Sequence, residues 1–248
     1  MEQNGIAMLQ KLIDGAQRIV FFGGAGVSTE SGIPDFRGED GIYRQPYPVP
    51  PETMLHIRTL KRRPKRFFEF YRQNMIYPNA KPNAAHRKLA ELERAGKLSG
   101  IITQNIDGLH QLAGSRNVVE LHGSVLRNSC IKCGKEYPED FIMETEDVPR
   151  CTECGGIVRP DVVLYGEALS SAALDAAAGL IREADLLIVG GTSLTVQPAA
   201  SLVACFGGEH LVLINLQETP ADPYADLVLH EKLGEVLSQI TVGETAEV

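Results

Sequence analysis

The chain has 248 residues, of which 44% are hydrophobic, 23% charged and 6% aromatic, values typical of a globular protein with one sizeable core. Its net charge of −8 disfavours a broad nucleic-acid-binding surface. No apolar run reaches the roughly 18 residues that a membrane span needs, and the amino-terminal stretch lacks the positive region of a signal peptide, so we expect a cytoplasmic protein without nucleic-acid or membrane partners.

Apolar strands and amphipathic helices alternate along most of the chain. Repeated strand–helix units of this kind predict an α/β fold, a Rossmann-like parallel sheet with helices on both faces. The predicted strands are Ile19–Phe22, Gly100–Thr103, Val118–Leu121, Val162–Tyr165, Leu186–Val189 and Leu211–Asn215. The predicted helices are Met8–Ala16, His86–Ala95, Ala172–Ala184, Ala199–Cys205 and Leu233–Ile240.

Two segments interrupt the alternation. Residues 39–82 are divided by seven prolines and leave room for two short helices, near Thr53–Arg62 and Lys65–Asn74. Residues 125–159 contain four of the five cysteines. We therefore predict a Rossmann-like domain formed by residues 1–38, 83–124 and 160–248, and a small zinc-ribbon and helical domain formed by the two insertions.

The first strand runs directly into a glycine-rich turn. Gly23, Gly24 and Gly26 would let backbone N–H groups approach a ligand, and a helix start after them would add a positive dipole end, which suits a pyrophosphate. The segment from Gly24 to Thr29 fails the last position of the G-x-G-x-x-G/A fingerprint, and no acidic residue closes a second strand as in dehydrogenases. A tight turn without a ligand is the alternative.

Polar clusters stand at the carboxyl ends of several predicted strands, where parallel sheets bind ligands. His122 is the candidate general base, because an imidazole titrates near neutral pH; a strand-end histidine held for structure is the alternative. Asp107 either orients a ligand or caps a helix. The clusters are Gly24–Ser28, Gln104–Asp107, His122, Gly191–Ser193 and Asn215.

Four cysteines form two close pairs. Cys130-x₂-Cys133 and Cys151-x₂-Cys154 have the spacing of two zinc knuckles, with glycines in the turns. Four thiolates would close the coordination sphere, so the predicted metal is one structural Zn²⁺. A redox-active dithiol is the alternative, but it would need a single C-x-x-C beside a helix start.

With these motifs in order, the chain resembles the sirtuins, NAD-dependent protein-lysine deacylases, and is interpreted as a prokaryotic member. The resemblance covers nearly the whole chain through GAGVSTESGIPDFRG, KPNAAH, TQNIDGLH, LHG, the paired C-x-x-C, RPDVVLYGE, GTSLTVQPA and a late IN. It implies an NAD-dependent protein deacetylase that moves the acetyl group from lysine to ADP-ribose and releases nicotinamide and free lysine. It also implies NAD as co-substrate, acetyl-lysine peptides or proteins as substrates and an active site in the cleft between two domains. The oligomeric state stays open, and a monomer is compatible with the sequence.

The resemblance also assigns residue roles. His122 would be the general base and Asn105 a second catalytic residue, and a substrate peptide would add as a strand between Val163–Glu167 and Leu194–Val196. The residues implied to bind NAD are Gly24, Ala25, Gly26, Ser28, Thr29, Asp35, Phe36, Arg37, Tyr43, Gln104, Asn105, Ile106, Asp107, His122, Gly191, Thr192, Ser193, Asn215, Leu216 and Lys232. The residues implied to bind the peptide are Val163, Tyr165, Gly166, Glu167, Leu194 and Val196.

Departures from the family's patterns bear on acyl preference. Members that prefer acidic acyl groups carry a Tyr-x-x-Arg pair, whereas here Tyr71 is followed by Asn74, so the bidentate arginine contact to a carboxylate is missing. We therefore expect neutral acyl groups, acetyl above all. Tyr165 and Ala168 stand where many members have Phe and Asn, which leaves the peptide preference open.

Three rival functions use the same residues. Mono-ADP-ribosyl transfer would need the same NAD contacts, although the YGE and GTSL segments favour deacylation. A zinc-ribbon binding module with an inactive nucleotide pocket is disfavoured by the presence of His122 and Asn105. An ordinary dehydrogenase is disfavoured by the incomplete fingerprint.

Overall fold

In the computed structural model, which describes residues 2–38 and 40–243, the chain forms two β-sheets with helices packed around them. The strands are β1 (Ile19–Gly23), β2 (Leu98–Thr103), β3 (Val118–Glu120), β4 (Gly123–Cys130), β5 (Glu136–Pro138), β6 (Val158–Val162), β7 (Leu186–Gly190), β8 (His210–Ile214) and β9 (Leu227–Leu229). The α-helices are α1 (Glu2–Gly15), α2 (Pro51–Met54), α3 (Ile57–Arg62), α4 (Pro64–Asn74), α5 (Ala84–Arg94), α6 (Leu109–Leu112), α7 (Glu139–Met143), α8 (Ser171–Glu183) and α9 (Leu233–Ser238). Short 3₁₀ helices span Ala25–Val27, Thr29–Ser31, Ile42–Arg44, Ala199–Cys205 and Asp222–Tyr224.

The larger sheet has six strands in the order β3-β2-β1-β7-β8-β9, and all its neighbouring strands are parallel. Successive residues of the central strand β1 point to opposite faces, so Phe21 packs with α1, α5 and α9 while Phe22 packs with α8. Both faces are thus covered, which explains why β1 and β7 are apolar and fully buried. The predicted Rossmann-like fold is confirmed.

The smaller sheet is antiparallel, with the order β5-β4-β6. It shares one hydrophobic cluster with the helices of residues 39–82: Phe67, Phe68 and Tyr71 of α4 are buried together with Ile142 and Val158. The two predicted insertions therefore bury apolar surface against each other. The exact domain boundaries stay a prediction.

One predicted strand is wrong. Val162–Tyr165 is not a strand of the parallel sheet: β6 ends at Val162 and pairs antiparallel with β4, and Tyr165 forms only an isolated bridge with His56. The apolar residues of this run, Val162 and Leu164, are buried in the cluster of the smaller sheet instead. A short apolar run indicates burial but does not identify the partner that buries it.

Other differences are local. Ala199–Cys205 is a 3₁₀ helix rather than an α-helix, and the chain after β1 forms two 3₁₀ turns instead of the expected helix start. The edge strand β9 was not predicted, because three residues are too few for a periodic signal. In the part of the chain that the structure describes, no helix combines the length and apolar character of a membrane crossing.

Two histidines are buried where α5 and α6 meet. His86 is 0% exposed and His110 1% exposed, and their ring centroids lie 4.7 Å apart. His86 Nδ1 accepts the backbone N–H of Asn83 at 3.3 Å, which completes the capping box of α5. Burial lowers the pKa of His86 to about 4 and that of His110 to about 3.

This pair predicts an acid-sensitive fold. Because the folded state favours neutral imidazoles, the unfolded chain binds more protons below pH 6.5, so stability is fully present above that pH and falls as the pH decreases towards 4. Each histidine should remove about 2 kcal/mol from the free energy of unfolding between pH 7 and pH 5. Urea unfolding at pH 7, 6 and 5 measures this loss. His110→Met should lose about 2 kcal/mol less free energy of unfolding between pH 7 and pH 5 than the parent protein. An equal loss in the variant and the parent protein would contradict the prediction.

Candidate active site

The glycine loops after β1 and β7 pack directly against each other. The N–H of Gly24 donates to the carbonyl of Gly190 at 3.2 Å, and the N–H of Gly26 donates to that of Gly191 at 2.8 Å. A Cβ at Gly26 would lie 2.8 Å from the Cα of Gly191, closer than such atoms approach. These glycines are therefore required by loop–loop contact, and their N–H groups are already engaged within the protein.

A buried polar network lies beside these loops. Ser28 Oγ donates to Asp107 Oδ2 at 2.7 Å, and Asn105 Nδ2 donates to Ser28 Oγ at 3.1 Å. Ser28 and Asn105 are almost fully buried. Burial raises the pKa of Asp107, although bonds from the Leu109 N–H and from Ser28 oppose the shift. Residues distant in sequence thus present an amide, a hydroxyl and a carboxyl group together.

Asn83, which was not proposed from the sequence, anchors this region. Its Nδ2 donates to the carbonyl of Val27 at 2.7 Å and to Ser31 Oγ at 3.0 Å, while its Oδ1 caps α5. The residue lies in the KPNAAH motif, so a signal was present in the sequence. Asn83 positions the turn that carries Ser28.

The imidazole of His122 has a defined tautomer. Nδ1 lies 2.9 Å from the carbonyl oxygen of Gln104, which can only accept, so Nδ1 carries the proton and Nε2 keeps its lone pair. Burial lowers the pKa of His122, and the bond to Gln104 only partly opposes this. Gln104 is itself held by its N–H to Gly23 and its side chain to Thr192. A neutral imidazole with a free Nε2 is the protonation state that a general base needs.

A cavity of 1550 Å³ joins these groups and reaches both sheets, with Val125 of β4 and Ile214 of β8 in its walls. Most of the residues proposed from the sequence line it. They are Ala25, Gly26, Ser28, Thr29, Asp35, Phe36, Arg37, Gln104, Asn105, Ile106, Asp107, His122, Val163, Tyr165, Gly166, Glu167, Gly191, Thr192, Ser193, Val196, Asn215, Leu216 and Lys232.

Three proposed residues do not line the cavity: Gly24, Tyr43 and Leu194. Gly24 is buried against Gly191 and Thr192. Leu194 is buried in the sheet core with a left-handed φ of 52°, so its backbone shapes the turn. Tyr43 is half-buried and packs on the ring of Phe36, which does line the cavity.

Residues 40–43 pack back against residues 35–38. Asp35 accepts the N–H groups of Gly38 and Ile42, and the N–H of Tyr43 donates to the carbonyl of Phe36. The Tyr43 ring packs 5.5 Å from that of Phe36, and its hydroxyl hydrogen-bonds that of Tyr165. Burial, ahead of this hydrogen bond, raises the pKa of Tyr43. The Tyr43–Tyr165 contact thus joins this loop to the segment proposed to bind peptide.

Arg159 holds that segment in shape and was missed from the sequence, although it begins the RPDVVLYGE motif. It makes a bidentate ion pair with Glu167, at 2.6 and 2.8 Å, and also donates to the carbonyl of Val162. Glu167 further accepts the N–H of Leu164 at 2.9 Å. The hydrogen bond with Arg159 holds the pKa of Glu167 below its usual range. Both oxygens of the Glu167 carboxylate therefore bind groups of the RPDVVLYGE motif itself.

At the other end of the cavity, Asn215 follows β8. Its N–H donates to the carbonyl of Leu229, its side chain to that of Gln217, and its own carbonyl accepts from His230 Nδ1. Lys232 is exposed and pairs with Glu235 at 3.2 Å. Leu229 at the end of β9 and the following His230 thereby hold the backbone of Asn215, which precedes Leu216.

The four cysteines converge on one point. The Sγ atoms of Cys130, Cys133, Cys151 and Cys154 all lie within 4.8 Å of one another, close to the edge lengths of a tetrahedral Zn–S₄ site. Gly134 and Gly155 have left-handed φ values of 74° and 68°, which the two knuckle turns require. The cysteines are thus positioned to bind one zinc ion, as predicted.

A match to a known family decides the identity of the fold. The family model described as the Sir2 family matches residues 24–198. The chain belongs to the Sir2 family. The resemblance to sirtuins read from the motifs is confirmed.

Sir2 relatives match along almost the full length. One from Clostridium perfringens, named NAD-dependent protein deacetylase, is 54% identical over 238 residues, which cover 95% of this chain and 98% of the relative. A solved Sir2 structure with deacetylated p53 peptide and 3′-O-acetyl-ADP-ribose is 41% identical with a TM-score of 0.86, covering 94% of this chain and 95% of its own. Another, with p53 peptide and NAD⁺, is 41% identical with a TM-score of 0.82 and the same coverage.

The cysteine cluster predicts metal-dependent stability. Cys151→Ser should lose the zinc ion and lower the melting temperature by on the order of 10 °C, because the metal joins two turns of the smaller sheet. Zinc per chain and thermal unfolding followed by circular dichroism measure both effects. Cys205→Ser is the matched control, since Cys205 lies outside the cluster, and should keep one ion. An unchanged melting curve for Cys151→Ser would contradict a structural role.

Proposed function

We propose that this Sir2 protein is an NAD-dependent protein-lysine deacetylase that moves the acetyl group from lysine to ADP-ribose. The observation that carries the proposal is His122, whose Nε2 hydrogen-bonds none of the described residues and which lines a cavity with Ser28, Asn105 and Asp107. The names of the relatives and the peptide and NAD⁺ ligands of the solved Sir2 structures support it.

The chain's polar groups fit a dinucleotide co-substrate. NAD supplies an electrophilic ribose carbon when nicotinamide leaves. The Ser28–Asn105–Asp107 network would bind the nicotinamide ribose and carboxamide, and Asn215, Leu216 and Lys232 the adenosine half. Because the N–H groups of Gly24 and Gly26 and the hydroxyl proton of Ser28 are engaged, we propose that the side chain of Arg37 holds the pyrophosphate.

The catalytic work of the chain would fall on His122. Its Nε2 would accept the proton of a ribose hydroxyl, while the Gln104 carbonyl holds the proton on Nδ1 and orients the ring. Asn105, which donates to Ser28, would position the reacting groups. The active site would lie in the cleft between the two predicted domains.

Substrate peptide would enter between Val163–Glu167 and Leu194–Val196 as an added strand. The N–H groups of Val163, Leu164 and Tyr165 all donate within the chain, to His122, Glu167 and Leu55. The carbonyls of Leu164 and Tyr165 already accept the N–H groups of Glu167 and Ile57, so the carbonyl of Val163 is the group that would accept a peptide N–H donor. We further propose that the protein acts in the cytoplasm, where free thiols stay reduced for the metal.

The walls of the cavity favour a neutral acyl group. Tyr71 and Asn74 of α4 line it with Ile106 and Val125. Asn74 Oδ1 accepts from Tyr47 and its Nδ2 donates to Phe70, so its amide is engaged, and the Tyr71 hydroxyl finds no partner among the described residues. A carboxylate brought here would lose its hydration without gaining an arginine.

The proposed base predicts the effect of His122→Ala. Removing the imidazole should lower kcat/KM for an acetyl-lysine peptide by about 10²- to 10⁴-fold, because proton transfer loses its acceptor. Release of lysine and nicotinamide, followed by mass spectrometry, measures turnover and separates deacetylation from ADP-ribosyl transfer by the mass of the peptide. His210→Ala, which replaces a histidine outside the cavity lining, is the control. Unchanged turnover in His122→Ala would refute the assignment.

The acyl preference predicts that acetyl is removed faster than succinyl from the same peptide. Without an arginine partner, succinyl should lose at least about tenfold in kcat/KM, since one unpaired charge costs more than 1.4 kcal/mol on burial. Asn74→Arg, which restores the Tyr-x-x-Arg spacing, should narrow the gap. Faster desuccinylation by the parent protein would show that the neutral preference is wrong.

A further inference from the structure

An exposed run of cations follows the bridge between His56 and the peptide segment. Six of the nine residues from position 58 to 66 are Lys or Arg, in a chain with a net charge of −8. All six are exposed, and none pairs with a carboxylate within 4.0 Å among residues 2–38 and 40–243. They are Arg58, Lys61, Arg62, Arg63, Lys65 and Arg66, and we call them the basic ridge.

The fold keeps these cations in solvent on two consecutive helices and the residue between them. Arg58, Lys61 and Arg62 have i, i+3 and i+4 spacing on α3, so they share a face, while Leu60 is buried beneath them. On α4, Phe67 and Phe68 are buried and the residues before them stay exposed. The apolar residues of α3 and α4 therefore anchor both helices to the core of the smaller sheet, while the cations of the basic ridge stay in solvent.

The ridge begins beside the segment proposed to bind peptide. The N–H of Ile57 donates to the carbonyl of Tyr165 at 3.0 Å, and the N–H of Tyr165 donates to Leu55 at 3.1 Å. At about 1.5 Å per residue, the cations of α3 extend roughly 6 Å along that helix, and the chain then turns at Arg63 into α4. Lys61 lies near enough to this segment to help lower the pKa of Glu167, after the larger effects of Arg159 and the Leu164 N–H.

Unpaired like charges on neighbouring helical positions repel each other and lower stability slightly. A cluster of this kind is suited to a negative partner, and its position points to a part of the substrate rather than a separate ligand. We propose that the basic ridge binds acidic residues that flank the acetyl-lysine, so that this enzyme prefers acetylated sites in acidic sequence.

The proposal rests on the deacetylase function and adds a substrate class to it. A polypeptide partner is favoured over nucleic acid because the ridge is confined to one nine-residue segment of an otherwise acidic chain, whereas nucleic-acid surfaces neutralise many phosphates. Exposed charges of this kind act over about 10 Å at 0.1 M salt, so the preference should appear mainly in KM and weaken as salt rises.

The experiment compares three acetyl-lysine peptides with one core sequence and flanks of three Glu, three Gln or three Lys on both sides. The ridge variant is Arg58→Gln/Lys61→Gln/Arg62→Gln. The control variant Lys11→Gln/Arg116→Gln/Arg182→Gln removes the same charge from exposed positions outside the ridge. For the parent and control proteins, kcat/KM at 0.05 M NaCl should be about tenfold higher with Glu than with Gln flanks, and lower still with Lys flanks.

In the ridge variant the Glu:Gln ratio should fall to about 1–2, and in the parent 0.5 M NaCl should do the same. Turnover of the Gln-flanked peptide tests the deacetylase function separately, because no ridge contact is needed for it. The proposal is overturned if the parent protein has the same kcat/KM for the Glu-flanked and Gln-flanked peptides. It is also overturned if the ridge variant keeps the tenfold preference for the Glu-flanked peptide. Ridge-dependent binding of a fluorescein-labelled 20-nucleotide single strand with no flank effect on turnover would overturn it in favour of nucleic acid.

Discussion

The contact between the loops after β1 and β7 is the constraint on which the rest of the site depends. Two neighbouring parallel strands end in register at Gly23 and Gly190, and both chains turn in the same small space. Backbone lies against backbone there because Gly26 and Gly191 have no Cβ. Any larger residue would push the loops apart, and with them Ser28 on one side and Thr192 on the other. The glycines therefore influence ligand binding indirectly, because their close contact sets the positions of the loops that carry Ser28 and Thr192.

Gln104 carries this constraint to the proposed base. Its backbone N–H is fixed by β1, its side chain by Thr192, and its carbonyl defines the tautomer of His122. One residue at the end of β2 thus connects the glycine loops with the imidazole. Bonds of this kind keep a buried, neutral histidine in one orientation, which lowers the reorganisation that proton transfer would otherwise require.

Local signals predicted much of this architecture. Strand ends, the paired C-x-x-C turns and the apolar periods of α1 and α5 each depend on few neighbours in sequence, and the structure contains the strands, turns and helices that they predict. The misplaced strand at Val162–Tyr165 shows the limit, because the cluster that buries it is assembled from residues up to about a hundred positions earlier. Arg159 and Asn83 lie in motifs that the sequence displays, but a motif does not say which partners a polar side chain binds, and those of Asn83 are distant in the sequence.

The zinc cysteines pack in the same hydrophobic cluster as part of the cavity wall. Cys130 and Cys151 are buried in the same hydrophobic cluster as Leu55, Tyr71 and Val125, which also line the cavity. Close-packed side chains transmit volume changes to their neighbours. A change at the cysteines that alters this packing would therefore reach the side of the cavity formed by Leu55, Tyr71 and Val125, although no cysteine of the cluster lines the cavity.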